Sequence, residues 1–465
     1  MKTLFSRLLD HPLALVPPDL EGSREGRTLL VWGNVPHWMV VDGEMRDYLF
    51  ALDGSGTAGE ALGARPGSTR RAVAGVLRTL MRLGIVREPA GRGRRAEREP
   101  DFPPRIENAA WNVTAACNLR CRMCYFQADD PEAMGPELEA DEVLRVLDGA
   151  RPFLVRCPWL FLLGGEPLLR PERVLTVAEG CRKRGIRAQV STNGHRVTPA
   201  FADGARTAGL EVQVSLDGPD AALHDALRGE GSFARAVEAV RTLARHRVRV
   251  LVSMVCTADN LPHLERYFEL ARDLGAREAR FIPLKHMGRA PEAAVREAPL
   301  PEAVRAAAGL FRRRKDLAGL AGRDLFSILA HTCRQSVRRE SCGTGSQTFL
   351  LDADGSLYPC LNTRHLSMRL GNVREPGFDF ARWWRASEGL ARHRGKTRFA
   401  ALDASCASCA VRHWCLAGCR GEAFACTGSL AAPPPGCAGH REAVLEMFWT
   451  LAGSPGLPGG PGQSC

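Results

Sequence analysis

Residues 111–124 read Trp-Asn-Val-Thr-Ala-Ala-Cys-Asn-Leu-Arg-Cys-Arg-Met-Cys. A strand-like run, Trp111-Asn112-Val113-Thr114, opens into a loop that carries Cys117, Cys121 and Cys124. Thiolates at i, i+4 and i+7 can cap three corners of a four-iron cube. An ordinary cube takes four thiolates, so three leave one iron open to a cofactor or a substrate. The alternative is a structural zinc knuckle, which needs a fourth Cys or His close by. None lies within thirty residues on either side, so the cluster is the preferred reading.

Outward from this loop, short β-like runs alternate with helical ones from residue 108 to residue 285. The expected strands are Ala110–Thr114, Leu160–Leu163, Arg187–Ser191, Glu211–Leu216, Val248–Val255 and Ala279–Pro283. Helical patterns fall between them, as at Glu142–Ala150, Glu172–Arg184 and Phe233–Arg245. Six β/α repeats with right-handed crossovers imply a parallel sheet curled into a partial (β/α)6 barrel, an α/β fold. Active sites of such sheets lie at the carboxyl ends of the strands, where the cysteine loop would sit. The second strand ends in Gly164-Gly165-Glu166-Pro167, whose glycines allow a close backbone approach to a ligand. The third ends in Ser191-Thr192-Asn193-Gly194. The fourth ends in Ser215-Leu216-Asp217-Gly218, followed by His224 and Arg228.

The Cys-x3-Cys-x2-Cys loop and the Gly-Gly-Glu-Pro turn resemble those of radical S-adenosylmethionine (radical SAM) enzymes. The resemblance implies that Cys117, Cys121 and Cys124 hold a catalytic 4Fe–4S cluster and that Gly164, Gly165, Glu166 and Pro167 meet the methionine amino group of S-adenosylmethionine. Ser191, Asn193, Ser215, Asp217 and Arg228 would line the same cofactor, with Ser215 and Arg228 near its ribose and carboxylate. A guanidinium suits a carboxylate because its planar fork makes two hydrogen bonds. His224 is expected to be structural. The sequence departs from the family at Met123, where an aromatic residue usually packs near adenine; a thioether can still meet a ring edge. The implied chemistry is reductive cleavage of the cofactor to a 5′-deoxyadenosyl radical, which abstracts hydrogen from a substrate.

A second cysteine pattern occupies residues 342–437: Cys342, Cys360, Cys406-x2-Cys409-x5-Cys415-x3-Cys419 and Cys437. It resembles the SPASM domain, which extends many radical SAM enzymes that act on peptides. By that analogy Cys406, Cys409, Cys415 and Cys437 hold an outer auxiliary 4Fe–4S cluster, and Cys342, Cys360 and Cys419 an inner one. The inner set is one thiolate short; Cys333, Cys426 or an open iron could complete it. Cys157, Cys181 and Cys256 are expected to be packing residues, and Cys465 a loose tail thiol.

The chain has 465 residues, 45% hydrophobic and 25% charged, as in a globular protein of two or three domains. Ten of its sixteen cysteines fall in ligand-spaced motifs, which fits a reducing cytoplasm better than a secreted disulfide scaffold. The start is broken by Arg7, Asp10 and Pro12, unlike a signal peptide, and no apolar run is long enough to span a membrane. A net charge of +11 is modest and dispersed. It fits an acidic reductant, a flavodoxin or ferredoxin, and gives no nucleic-acid footprint.

The expected domains are 1–88, a linker at 89–105, the barrel at 106–330, the cysteine-rich domain at 331–445 and a flexible tail at 446–465. Residues 28–88 read as two strands (Thr28–Trp32, His37–Val41) and three helices (near Gly43–Leu52, Thr57–Leu62 and Ser68–Leu83), a winged-helix-like α+β unit. It resembles PqqD-like modules, which implies recognition of the leader segment of a precursor peptide, a strand added to a sheet edge. Winged helices also bind DNA, but residues 1–88 hold eleven Lys/Arg against ten Asp/Glu, which leaves no basic patch. The expected function is a peptide maturase that installs an oxidative cross-link or other side-chain change. Alternatives are an oxidase of a protein side chain or a tetrapyrrole-like cofactor, or a non-catalytic iron–sulfur scaffold or electron carrier. Sulfatase maturation is disfavoured, because Leu361 follows Cys360 where such enzymes carry an aspartate.

Overall fold

A computed structural model describes residues 9–63, 67–89, 104–126, 136–322, 324–454 and 456–458. Most of the expected linker and the end of the tail, with Cys465, lie outside the described residues.

The chain opens with β1 (Pro12–Leu15), β2 (Leu20–Arg24), β3 (Arg27–Trp32) and β4 (His37–Asp42), followed by β5 (Asp53–Thr57) and β6 (Val86–Arg87). They form two antiparallel three-stranded sheets, β2-β3-β4 and β5-β1-β6. Three helices accompany them. Asp42 caps Gly43–Phe50 by accepting from the Met45 amide at 2.8 Å, and Thr57 with Glu60 forms a capping box on Ala58–Leu62. The third helix, Gly67–Arg82, sends Val73, Leu77 and Leu80 into a separate core with Leu13, Leu30, Trp32 and Leu49.

Six parallel strands follow: β7 (Ile106–Thr114), β8 (Leu154–Gly164), β9 (Arg187–Thr192), β10 (Glu211–Ser215), β11 (Val250–Cys256) and β12 (Glu278–Pro283). All six expected strands are present, the first two several residues longer than predicted. Alternation sorts their faces. Trp111, Leu162, Val190, Val214, Val252 and Phe281 point into the main hydrophobic core with the surrounding helices. The opposite face carries Asn112, Gln189, Gln213, Ser253 and Arg280. Arg280 is buried and donates to Gln213 at 3.0 Å and Gln189 at 3.3 Å, with Glu278 as its ion-pair partner.

The sheet does not stop at six strands. β13 (Thr348–Leu351) pairs in parallel with β7, and β14 (Leu357–Tyr358) pairs antiparallel with β13. The cysteine-rich region therefore begins as an extension of the barrel sheet, tied further by Asn112 donating to the buried Asp352 at 2.8 Å. The last helix, Cys437–Gly453, packs on Leu300–Arg313 and buries Met447, Phe448 and Leu451. Residues 446–453 are thus ordered helix, where a flexible tail was expected. The N-terminal sheet docks on this helix: Trp38 stacks on Phe448 at 4.6 Å, and Arg24 makes two hydrogen bonds to Glu446 at 2.9 and 3.2 Å.

Candidate active site at the barrel mouth

The loop after β7 is held against the end of β8 by backbone hydrogen bonds, Gly165 N to Thr114 O (2.8 Å) and Glu166 N to Ala116 O (2.7 Å). A Cβ on Gly165 would run into the Ala116 carbonyl, and Gly164 has φ 120°, so both positions need glycine. Glu166 is 1% exposed. Its carboxylate accepts from Thr192 Oγ1 at 2.7 Å, Asn193 N at 2.8 Å and Leu168 N at 2.9 Å. The side chain expected at the cofactor thus ties the end of β8 to the end of β9. Pro167, buried, starts the short turn that follows.

Asn193 also donates to Asn118 Oδ1 at 2.8 Å, fixing the cysteine loop. Asp217 is fully buried and accepts from Val255 N at 2.7 Å and from Arg228. Arg228 Nη1 lies 3.8 Å from Cys121 Sγ, so the guanidinium faces the cysteine loop. Ser191 and Ser215 are half-buried at the mouth ends of β9 and β10. Met123 is buried in a small apolar cluster with Cys121, Leu227, Leu284 and Ala290. His224 accepts from Asp217 N at 3.0 Å, and burial drops its pKa to about 4, in keeping with a structural role.

Sequence reasoning missed the grip on this loop from the last barrel strand. Arg289 donates through Nε to Cys121 O and through its amide to Cys124 O, both at 3.0 Å. Gly288, with φ 63°, lets that backbone approach Cys124 and Tyr125. Its place in the loop after β12 was the available signal.

The thiols converge as three groups. Burial lifts Cys117 to about 11, and the neighbouring Cys121 and Cys124 add to the rise. Burial likewise lifts Cys360 to about 12, with Cys419 and Cys342 as neighbours. It lifts Cys415 to about 12, beside Cys409, Cys406 and Cys437. Tyr125 bridges two groups, since burial first, then Cys124 and Cys360, push its pKa to about 12. Cys333 is buried beside Cys415, and Cys426 is exposed and donates to His286 O at 3.3 Å. Cys181 and Cys256 are buried as expected; Cys157 is instead half-buried.

These thiols suit iron–sulfur clusters. A cavity of about 480 Å³ is lined by Cys406, Cys409, Cys415 and Cys437 together. Among the described residues no three His, Cys, Asp or Glu side chains meet closely enough for a single ion, and the corners of a cube stand farther apart than that.

Residues 111–271 match the Radical SAM superfamily, and residues 342–410 match SPASM, an iron–sulfur cluster-binding domain. The mycofactocin maturase MftC of Mycobacterium tuberculosis is 31% identical over 343 residues, 72% of this chain and 84% of that protein. The chain belongs to the radical SAM superfamily. Radical SAM and SPASM proteins use S-adenosylmethionine with a 4Fe–4S cluster and carry auxiliary clusters, and this chain is an enzyme of that kind. An AdoMet-dependent heme synthase of Methanosarcina barkeri is 28% identical, over 70% of this chain and 95% of that one. Two solved structures share the fold. AdoMet-bound anSMEcpe has a TM-score of 0.58 at 18% identity, covering 74% of this radical SAM chain and 98% of its own. Streptococcus suis SuiB bound to its precursor peptide SuiA has a TM-score of 0.58 at 13% identity, covering 91% and 99%. Among the described residues no helix is long and apolar enough to cross a membrane.

Proposed function

We propose that this radical SAM/SPASM enzyme matures a ribosomally made precursor peptide, installing an oxidative side-chain change such as a cross-link. When bound, the cluster and S-adenosylmethionine supply a 5′-deoxyadenosyl radical. The chain's own residues orient that chemistry: Cys117, Cys121 and Cys124 would hold the cluster, the Gly164–Gly165 backbone and Arg228 would position the cofactor, and the auxiliary thiolates would hold the clusters that can take up the substrate's electron. Glu166, Asn193 and Asp217 act through their neighbours as positioning residues.

The N-terminal unit carries the peptide reading. The likeness to peptide-bound SuiB spans 91% of the chain, more than residues 89–465 alone supply. A PqqD-like role for that unit, binding a leader at a sheet edge, would tether the core peptide near the mouth and raise its effective concentration. A flavodoxin or ferredoxin in a reducing cytoplasm would supply electrons. The heme-synthase relatives favour a second reading, oxidation of a tetrapyrrole side chain.

One experiment separates these readings. The anaerobic, iron-loaded chain is reduced with S-adenosylmethionine and offered either a candidate precursor peptide, drawn from any short open reading frame neighbouring its gene, or a propionate-bearing tetrapyrrole. A mass loss of paired hydrogens in the peptide supports maturation, and change in the tetrapyrrole alone overturns it. Cys117→Ala is expected to abolish 5′-deoxyadenosine formation. Cys415→Ala should spare cofactor cleavage more than substrate turnover, and equal loss of both contradicts an auxiliary role.

A further inference from the structure

A charge without a carboxylate lies between the two auxiliary thiol groups. Arg420 follows Cys419, begins the helix Arg420–Thr427 and is 1% exposed. Its Nη1 donates to Ala432 O at 2.8 Å and Leu430 O at 3.1 Å, and its Nη2 to Ala417 O. Its Nε is buried without a partner, and no Asp or Glu among the described residues pairs with it. Three other largely buried cations are neutralised. Arg228 has Asp217, Arg280 has Glu278, and Lys285 has Glu422 at 3.0 Å.

Taking an ion out of water without a counter-ion costs several kcal/mol even after relaxation. The fold tolerates this when an anion completes the site. Arg420 directly follows Cys419 of the inner group, and its Nη2 donates to the carbonyl of Ala417, which lines the same cavity as Cys406, Cys409, Cys415 and Cys437 of the outer group. A four-iron cluster held by thiolates carries negative charge, and gains more when reduced. A fixed cation in a low-dielectric interior favours the reduced state.

We infer that Arg420 is the shared counter-charge of the two auxiliary clusters and raises the reduction potential of both, so that the pair takes an electron from a substrate radical rather than giving one. This rests on the assignment of these cysteines to clusters. Lys285 contributes less, because Glu422 balances its charge.

The test uses the full chain, reconstituted anaerobically, with iron and sulfide counted and redox titrations followed by electron paramagnetic resonance. Arg420→Met should keep its iron and shift both auxiliary one-electron equilibria at least tenfold toward the oxidised form, about 59 mV each. The cluster of Cys117, Cys121 and Cys124 should stay where it is. Arg420→Lys should retain most of the wild-type potentials. Should Arg420→Met fail to load iron, Ala432→Glu places a carboxylate beside the intact guanidinium and must lower both potentials in the same way. Unchanged potentials at full iron content, a shift in one cluster alone, or an equal shift in Arg420→Lys overturns the inference. A wild-type chain that binds only one cluster sinks the cluster assignment itself, so the two failures are distinguishable.

Discussion

Glu166→Gln tests whether the Gly-Gly-Glu-Pro turn works through its side chain or its backbone. The native carboxylate accepts three hydrogen bonds, from Thr192, Leu168 and Asn193, at 2.7 to 2.9 Å in a site that is 1% exposed. Glutamine can keep the two bonds at Oε1, but its amide then faces the Asn193 N–H, donor against donor. One charge-assisted bond is lost, worth roughly 1.5–3 kcal/mol, and a buried donor is stranded at a cost of about 1–3 kcal/mol. Folding stability should fall by roughly 2.5–6 kcal/mol. Asn193 also holds Asn118 at 2.8 Å, so the strain should reach the cysteine loop. Transmission of only about 1.4 kcal/mol raises the Kd for S-adenosylmethionine tenfold. Denaturant titration and calorimetric cofactor binding, both on anaerobic protein of known iron content, read the two effects. Lower stability with unchanged cofactor affinity would refute the reasoning, since the turn would then be structural only.

Two further outcomes are expected. Trp38→Ala removes the stack on Phe448 and the 2.6 Å bond to Cys333 O, so it should cost about 3–5 kcal/mol and speed proteolysis of the N-terminal unit, read by denaturant and limited digestion. Burial raises the Asp324 carboxyl to about 7, with one oxygen unpartnered while the other caps a helix from Ser327 N at 2.6 Å. The folded chain keeps that proton up to about pH 7, and the unfolded chain only to about 3.9. Stability should therefore fall between those values as pH rises, by up to roughly 4 kcal/mol, and then level off. Asp324→Asn should keep the cap and flatten the slope; an unchanged pH profile in the variant would contradict this.

The barrel was legible because its strands are apolar runs bounded by glycine turns. In the N-terminal unit β3 and β4 were legible too, but β1, β2, β5 and β6 were not. Leu20-Glu-Gly-Ser-Arg24 is polar and largely exposed, and becomes a strand only by pairing with β3 across Glu25 and Gly26, both at positive φ. Asp53-Gly-Ser-Gly-Thr57 has the composition of a turn, yet pairs with β1. The strand Thr348–Leu351 was hidden for the same reason, since its partner β7 lies some 240 residues away. At the site, Glu166 was read as a ligand contact because the motif names it, and its three internal bonds exist only once β8 and β9 are side by side.

Spacing along the chain is a local quantity, so the three-cysteine loop, the auxiliary array and the β/α alternation could be read without coordinates. Charge balance and burial are set by residues far apart in the chain. Only the folded molecule therefore reveals that Arg420 lacks a carboxylate, that Asp217 claims Arg228, and that the N-terminal sheet rests on the final helix.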